Sequence, residues 1–257
     1  MAIGVLAFQG SFNEHIAALR RVGVKGVEIR KPEQLENIAA LIIPGGESTT
    51  MAKLAELNNM FPALREFVKM GKPVWGTCAG LIFLANKVIG QKVGGQDLVG
   101  GLDCTVHRNF FGSQIQSFEE EISVPYIADK EGGPPGFRAL FIRAPAILEV
   151  GSDVEVLAEV PIPDKVKNSD MIKEIQEVNL ESVNKVAVAV KQGNLLGTSF
   201  HPELTADSRW HLYFIKMVND LREETMTDTE SETSNSIIKA GDLSSLQDTK
   251  IELPIYS

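Results

Sequence analysis

The chain has 257 residues, of which 44% are hydrophobic and 23% are charged, as in a globular protein of one large domain or two small ones. A formal net charge of −9 argues against a protein that binds nucleic acid by electrostatic attraction. The two cysteines are too few for a disulfide framework or a CxxC metal site, and a free functional thiol fits reducing, cytoplasmic conditions.

The first ninety residues alternate between short apolar runs and helical patterns. Four apolar runs predict strands that are covered on both faces: residues 3–8, 27–29, 39–43 and 73–77. Three helical patterns lie between them: residues 12–20, opened by a capping box from Ser11 to Glu14, and residues 50–57 and 62–70. This alternation predicts βαβ units and a mostly parallel central sheet with helices on both faces. No secretory signal or membrane span is predicted, since the first run has no basic segment ahead of it and none approaches roughly 18 apolar residues.

The second half of the chain lacks the regular alternation of apolar runs and helical patterns. Glycines and short alternating segments between residues 94 and 151 predict an added β region. Two more predicted strands, residues 154–160 and 186–190, flank a polar stretch at 161–184 that we interpret as a surface insertion. A last strand is predicted at residues 195–200, and an amphipathic helix from about 206 to 221.

The predicted domain therefore spans residues 1–221, and residues 222–257 form a tail. The tail contains eight acidic and three basic residues, so it carries −5 of the net charge and leaves −4 to the body. Because it is poor in large apolar side chains, it cannot bury enough surface to offset the entropy of ordering, and disorder is predicted.

Cys78 is the first candidate for chemistry. It lies in Gly76-Thr77-Cys78-Ala79-Gly80, between a predicted strand and a helical pattern, and this G-x-C-x-G spacing is the thiol counterpart of the G-x-S-x-G nucleophile elbow. The dipole of a following helix would favour the thiolate. An isolated cysteine is more often a small buried side chain, so the elbow alone leaves both interpretations open.

A cysteine nucleophile needs a base and a group that orients the base. His201 follows the last predicted strand directly, and Glu203 lies two residues further on, where an extended link would bring the carboxylate to the imidazole. His15 and His211 lie within predicted helices, where a solvated or packed side chain is the simpler interpretation, and His107 follows in the β region beside a cationic residue.

Backbone N–H groups at the same sheet edge could stabilise an oxyanion. In a parallel sheet, working residues lie in loops at the carboxyl ends of strands, where Gly45-Gly46 and Cys78 are both predicted. The N–H groups of Gly46 and Ala79 are our candidates for the oxyanion hole. A glycine pair is also a common turn, so this prediction depends on the cysteine being a nucleophile.

Taken together, these motifs resemble the class I glutamine amidotransferases, and more narrowly the glutaminase subunits of pyridoxal 5′-phosphate synthase in a plant-like eukaryotic form. The resemblance covers residue 3 to about 221. It is carried by the motifs at residues 6–10, 44–50, 76–80, 108–112, 141–145 and 201–203. The 161–184 stretch and the acidic tail have no counterpart in the compact bacterial form.

The resemblance implies a three-layer flavodoxin-like α/β sandwich and a glutaminase that passes ammonia to a separate synthase subunit, a TIM barrel. It implies a Cys78–His201–Glu203 triad and no metal or bound cofactor. It also implies that glutamine is bound by Gly46, Glu47, Ser48, Arg108, Ile142 and Arg143.

Two alternatives remain open. One is another cysteine-elbow enzyme on a flavodoxin-like sheet, such as a deglycase or peptidase, although those lack His-Pro-Glu after the last core strand. The other is a regulatory subunit without catalytic activity.

Overall fold

The computed structural model describes residues 1–91, 94–112, 117–167 and 184–224. The chain divides into two compact units, Met1–Val218 and Asn219–Ser257. Of the second unit only residues 219–224 are described, and they are helical. Within the described ranges, no helix combines the length and the apolar character that a membrane crossing requires.

The first unit contains strands from near its first residue to just before its last helix. The strands are β1 Ala2–Leu6, β2 Lys25–Ile29, β3 Ala40–Ile43, β4 Val74–Thr77, β5 Ala85–Ile89, β6 Leu102–His107, β7 Phe118–Ser123, β8 Gly136–Phe141, β9 Ala146–Val150, β10 Glu155–Pro161, β11 Lys185–Gln192 and β12 Leu195–Thr198. The helices are α1 Phe12–Arg21, α2 Ser48–Leu57, α3 Met60–Lys69, α4 Ala79–Leu84, α5 Pro125–Glu131, α6 Asp164–Lys167 and α7 at residues 209–218, with 3₁₀ turns at Pro32–Asn37 and Pro202–Leu204.

One large sheet has the strand order β2-β1-β3-β4-β12-β11-β9-β6-β5, with β10 paired to β11. The five strands from β2 to β12 are parallel to their neighbours, whereas β11 is antiparallel to β12, β9 and β10. A separate antiparallel pair, β7–β8, completes the β region. The predicted mostly parallel sheet with an added antiparallel region is confirmed.

Alternating side chains along the central strands separate two apolar cores. On β3, Ala40 and Ile42 pack into one core with Leu19 of α1 and Phe214 of α7. Leu41 and Ile43 point the other way, into a second core built with α2, α3 and α4. Because successive strand residues face opposite sides, a sheet with two apolar faces needs helices on both. The predicted three-layer α/β sandwich is therefore confirmed.

Three local predictions were wrong. The helical pattern predicted after Cys78 includes Ala85, but the helix ends at Leu84 and Ala85 begins β5, because an apolar run of this length fits either helix or strand. The helix α5 lies in the stretch where only β-structure was predicted. Ser11 precedes α1 but makes no side-chain cap, because its hydroxyl is directed at Glu203 instead.

The predicted insertion begins inside the domain. Ile162 and Val166 are buried in the first core, and the Ile162 N–H donates to the carbonyl oxygen of Asn184 at 3.0 Å. Residues 168–183 lie outside the described residues, as does the predicted tail from 225 onwards. Residues 222–224, which composition assigned to the tail, are helical.

Candidate active site

Four parallel strands end at one edge of the sheet, and the loops that follow them carry several of the predicted site residues. The strands are neighbours in the order β1-β3-β4-β12, so the loops that follow them meet. They border a cleft of about 160 Å³. Its lining consists of Gln9, Gly46, Glu47, Ser48, Cys78, Ala79, Ile82, Arg108, Asn109, Ile142, Arg143 and His201.

Cys78 occupies a strained turn between β4 and α4. Its φ is 48° and its ψ −100°, a conformation that non-glycine residues rarely adopt. The Cys78 N–H donates to the Thr198 carbonyl oxygen of β12 at 2.7 Å, which fixes the turn to the neighbouring strand. A side chain at Gly80 would collide with the Ile43 carbonyl oxygen, so the second glycine of the motif lets α4 approach β3. The geometry is that of a nucleophile elbow.

His201 lies beside the thiol. The imidazole is buried, and burial alone would lower its pKa. The charge of Cys78 and a hydrogen bond to it, with further contributions from Glu203, outweigh burial and raise the pKa of His201 to about 10. The raised pKa favours the imidazolium form of His201, which places a cation beside the Cys78 side chain.

Glu203 orients His201 from the other side of the ring. Its Oε1 lies 2.8 Å from His201 Nδ1, which leaves Nε2 for the reacting groups. The link between them is a 3₁₀ turn at Pro202–Leu204, so the predicted extended link was wrong although the predicted contact exists. Burial would raise the pKa of Glu203, but His15, His201 and Ser11 lower it to about 2.

Three polar side chains that sequence reasoning did not assign to the site contact this carboxylate or its partners. Ser11 Oγ donates to Glu203 Oε1 at 2.6 Å. His15 Nε2 lies 3.3 Å from Glu203 Oε2, and His15 Nδ1 lies 3.0 Å from His211 Nε2. For His15 and His211, the sequence showed only a histidine within a predicted helix. That pattern does not distinguish a solvated side chain from a buried one.

The loop after β3 is held against the site by Ser11. The Ser11 N–H donates to the Gly45 carbonyl oxygen at 3.0 Å. Since the C=O and N–H of a trans peptide point in opposite directions, the Gly46 N–H is directed away from Ser11. Gly46 and Ala79 both line the cleft, and their role as oxyanion donors stays a prediction.

The residues predicted to bind glutamine line the same cleft, and several are fixed by contacts of their own. Glu47 caps α2, accepting from the Thr50 N–H at 2.7 Å, and hydrogen bonds to Thr50 and Thr49 lower its pKa although burial opposes them. Arg108 Nη2 lies 3.6 Å from Glu47 Oε1, with the side chain 14% exposed. Arg143 has a φ of 48°, and the preceding carbonyl oxygen, that of Ile142, lies 3.9 Å from Cys78 Sγ.

Gln9 and Asn109 also line the cleft. The turn at Gln9-Gly10 was expected at this sheet edge because it follows the first predicted strand, but no chemical role was predicted for Gln9 or Asn109. Gln9 Oε1 accepts from the Glu47 N–H at 2.7 Å, which ties the loop after β1 to the loop after β3. The second cysteine, Cys104, lies outside the cleft, and burial raises its pKa to about 12. Across the described residues, no group of three His, Cys, Asp or Glu side chains is arranged to hold a metal ion.

Comparisons with known proteins agree with one another. A family model described as the SNO glutamine amidotransferase family matches residues 5–220. The chain is 64% identical to a probable pyridoxal 5′-phosphate synthase subunit PDX2 of Arabidopsis thaliana, over 100% of both chains. It is 44% identical to the pyridoxal 5′-phosphate synthase subunit PdxT of Dehalococcoides mccartyi, over 86% of this chain and 100% of that one. A solved glutamine amidotransferase is 40% identical with a TM-score of 0.67, over 84% of this chain and 98% of that one.

Proposed function

The chain belongs to the SNO glutamine amidotransferase family, and we propose that it hydrolyses the side-chain amide of L-glutamine to L-glutamate and ammonia. The observation that carries the proposal is the buried series Cys78, His201 and Glu203 at the edge of the cleft. Family membership favours this activity over the deglycase, peptidase and regulatory alternatives.

Glutamine brings an α-carboxylate, an α-ammonium group and a neutral amide into the cleft. Arg108 is held beside Glu47 and supplies a fixed cation for the carboxylate. Glu47 and the backbone carbonyl of Ile142 supply acceptors, and Arg143 extends the positive wall. Ser48 Oγ is buried and has no hydrogen-bond partner within the described ranges, so its hydroxyl is available to the substrate.

In the first half of the reaction, Cys78 Sγ attacks the amide carbon. The new C–S bond forms as the carbonyl π electrons move to oxygen, where the Gly46 and Ala79 N–H groups stabilise the charge; one such donor contributes about 3 kcal/mol to the transition state. His201 Nε2 then gives its proton to the amide nitrogen. The C–N bond breaks, ammonia leaves, and a thioester remains.

In the second half, water cleaves the thioester. His201, now neutral, takes a proton from the water at Nε2 as the oxygen attacks the carbonyl carbon. The C–S bond breaks, which releases glutamate and restores the thiolate–imidazolium pair. Throughout, Glu203 accepts a hydrogen bond from the Nδ1–H of His201 and so keeps that proton on Nδ1.

The ammonia is proposed to pass to a separate subunit. Two relatives are subunits of pyridoxal 5′-phosphate synthase, and one of them aligns over the full length of this chain. We propose a synthase partner for this chain as well, with the TIM-barrel fold that the sequence resemblance implies. We also propose a cytoplasmic setting, because a free functional thiol fits reducing conditions. Activity is then expected to be low in the isolated chain and to rise when the synthase subunit binds.

The test is ammonia release from glutamine with the cognate synthase subunit present. Replacing Cys78 with alanine removes the nucleophile, so we expect turnover to fall to background while glutamine still binds. Full activity in Cys78→Ala would exclude the thioester mechanism. Absence of glutaminase activity in the wild-type complex would overturn the proposed function itself.

A further inference from the structure

Two buried histidines lie behind the carboxylate of Glu203, on the side away from His201. His15 comes from α1 and His211 from α7, and both side chains are essentially inaccessible to solvent. His15 Nε2 lies 3.3 Å from Glu203 Oε2 and 3.2 Å from Thr77 Oγ1. On the other side of its ring, His15 Nδ1 lies 3.0 Å from His211 Nε2. His15 therefore contacts both Thr77, which precedes Cys78, and the carboxylate of Glu203.

Burial disfavours the charged form of both histidines. Burial lowers the pKa of His15, as does His201, although Glu203 and Glu14 oppose the shift. Burial also lowers the pKa of His211 to about 3, helped by His15 and Arg21 and opposed by Glu203. A neutral imidazole has one N–H and one lone pair, so their placement decides what the pair can do.

The contacts assign the protons. Glu203 is ionised and can only accept, so a lone pair on His15 Nε2 would repel Oε2 and the proton must be on Nε2. His15 Nδ1 is then an acceptor, and His211 donates to it from Nε2. This leaves His211 Nδ1 as a bare acceptor, and that atom has no hydrogen-bond partner among the described residues.

We propose that His15, itself oriented by His211, is a positioning residue that holds Glu203 Oε2 so that Oε1 stays directed at His201 Nδ1. Oε1 also accepts from Ser11 and is fully engaged, whereas Oε2 has no well-aligned hydrogen bond within the described ranges. His15 Nε2 makes its hydrogen bond with Thr77 Oγ1, and its 3.3 Å contact with Oε2 adds a polar restraint on rotation of the carboxylate to the two hydrogen bonds at Oε1. The inference rests on the proposed glutaminase function.

The matched pair of variants is His15→Gln and His15→Asn. The amide nitrogen of glutamine can occupy the place of Nε2, whereas that of asparagine lies near the place of Nδ1. We expect His15→Gln to keep most of the activity. His15→Asn and His15→Leu are expected to lose about threefold to tenfold in kcat, the order of one ordinary polar contact, because both remove the N–H group that faces Oε2. KM for glutamine should stay within about twofold, since His15 does not line the cleft.

The pH profile separates positioning from packing. The groups that act on Glu203 are His201, His15 and Ser11, and those that act on His15 are Glu203, His201, Glu14 and His211. Loss of a donor to a carboxylate raises its pKa, so the acid limb of kcat should move to higher pH in His15→Leu and not in His15→Gln. The rate of Cys78 alkylation by iodoacetamide across the same pH range reports on the thiolate–imidazolium pair without turnover.

Wild-type turnover is measured first, in the complex with the synthase subunit. If wild type releases no ammonia, the proposed function fails. If wild type is active and His15→Leu matches it in kcat, acid limb and alkylation profile, the positioning role is wrong. Equal losses in His15→Gln and His15→Asn would also overturn it, and this comparison stands even if His15→Leu does not fold.

Discussion

Gly45 packs directly against Cys78 and His201, the proposed catalytic pair, so an added methyl group there should disturb the pair. A β-carbon built on Gly45 would overlap His201 Cε1, stand 2.8 Å from His201 Nδ1 and lie 3.3 Å from Cys78 Cβ. The Gly45→Ala change therefore tests whether the imidazole position governs activity.

The magnitude follows from contact distances. Non-bonded carbon atoms are comfortable at about 3.5 to 4.0 Å, so the imidazole or the loop must move by roughly 1 Å to accept the methyl group. The Ser11 N–H holds the Gly45 carbonyl and Glu203 holds the imidazole, so the overlap must displace one of two restrained groups at the site. Overpacking of this kind costs about 1–3 kcal/mol of stability. A displacement of about 1 Å at reacting atoms can cost 100-fold in rate, so we expect kcat of Gly45→Ala to fall by about that factor.

The assay is glutamine-dependent ammonia release in the synthase complex, paired with Cys78 alkylation across pH. A displaced imidazole should slow alkylation near neutral pH, because less thiolate is present. The matched control is Gly193→Ala in the β11–β12 turn, where φ is 53° and the added β-carbon meets no atom within 4 Å. It should cost about 1 kcal/mol in stability and leave kcat unchanged. Wild-type kcat in Gly45→Ala, or lost activity with an unchanged alkylation profile, would show that the position of the imidazole does not govern activity.

The remaining predictions concern acid stability and substrate binding. The pKa of Glu203 is lowered from 4.5 to about 2, so its contribution, of order 3 kcal/mol, is present above about pH 4.5 and is lost as pH falls towards 2. Urea unfolding across this pH range should show that the free energy of unfolding falls less steeply with acid in Glu203→Gln than in wild type. An unchanged slope would mean that other groups cause the acid sensitivity. Arg108→Ala should raise KM for glutamine roughly tenfold and change kcat less, since the cation binds ground and transition states alike. An unchanged KM would remove Arg108 from the substrate site.

Topology made much of the site predictable. The apolar runs fix the strands, and a parallel sheet brings the loops after those strands to one edge. Cys78, Gly46 and His201 each follow a strand, so their meeting required only that the strands be neighbours. The roles of the oxyanion donors and of the glutamine contacts could not be predicted from topology, because they depend on the substrate, which was inferred only from the family resemblance.

What the sequence could not supply was long-range side-chain contact. Ser11 fitted a local capping pattern, but its hydroxyl bonds to a carboxylate 192 residues away. His15 and His211 are 196 residues apart, and their contact depends on α1 and α7 packing on the same face of the sheet. Helical periodicity identifies the buried face of each helix and says nothing of which polar side chains meet there.

The central position of β12 has a consequence for biosynthesis. This last strand lies between β4 and β11, and the Trp75–Thr198 hydrogen bond joins residues 123 positions apart. While the chain is still being made, β4 presents an unpaired apolar edge and Cys78 has no imidazole beside it. Such edges invite association with other chains, and pairing across so long a loop is slow. We therefore expect the Cys78 thiol to become reactive only when β12 inserts beside β4. Until then the chain carries an unreactive cysteine and an exposed strand edge that chaperones would need to shield.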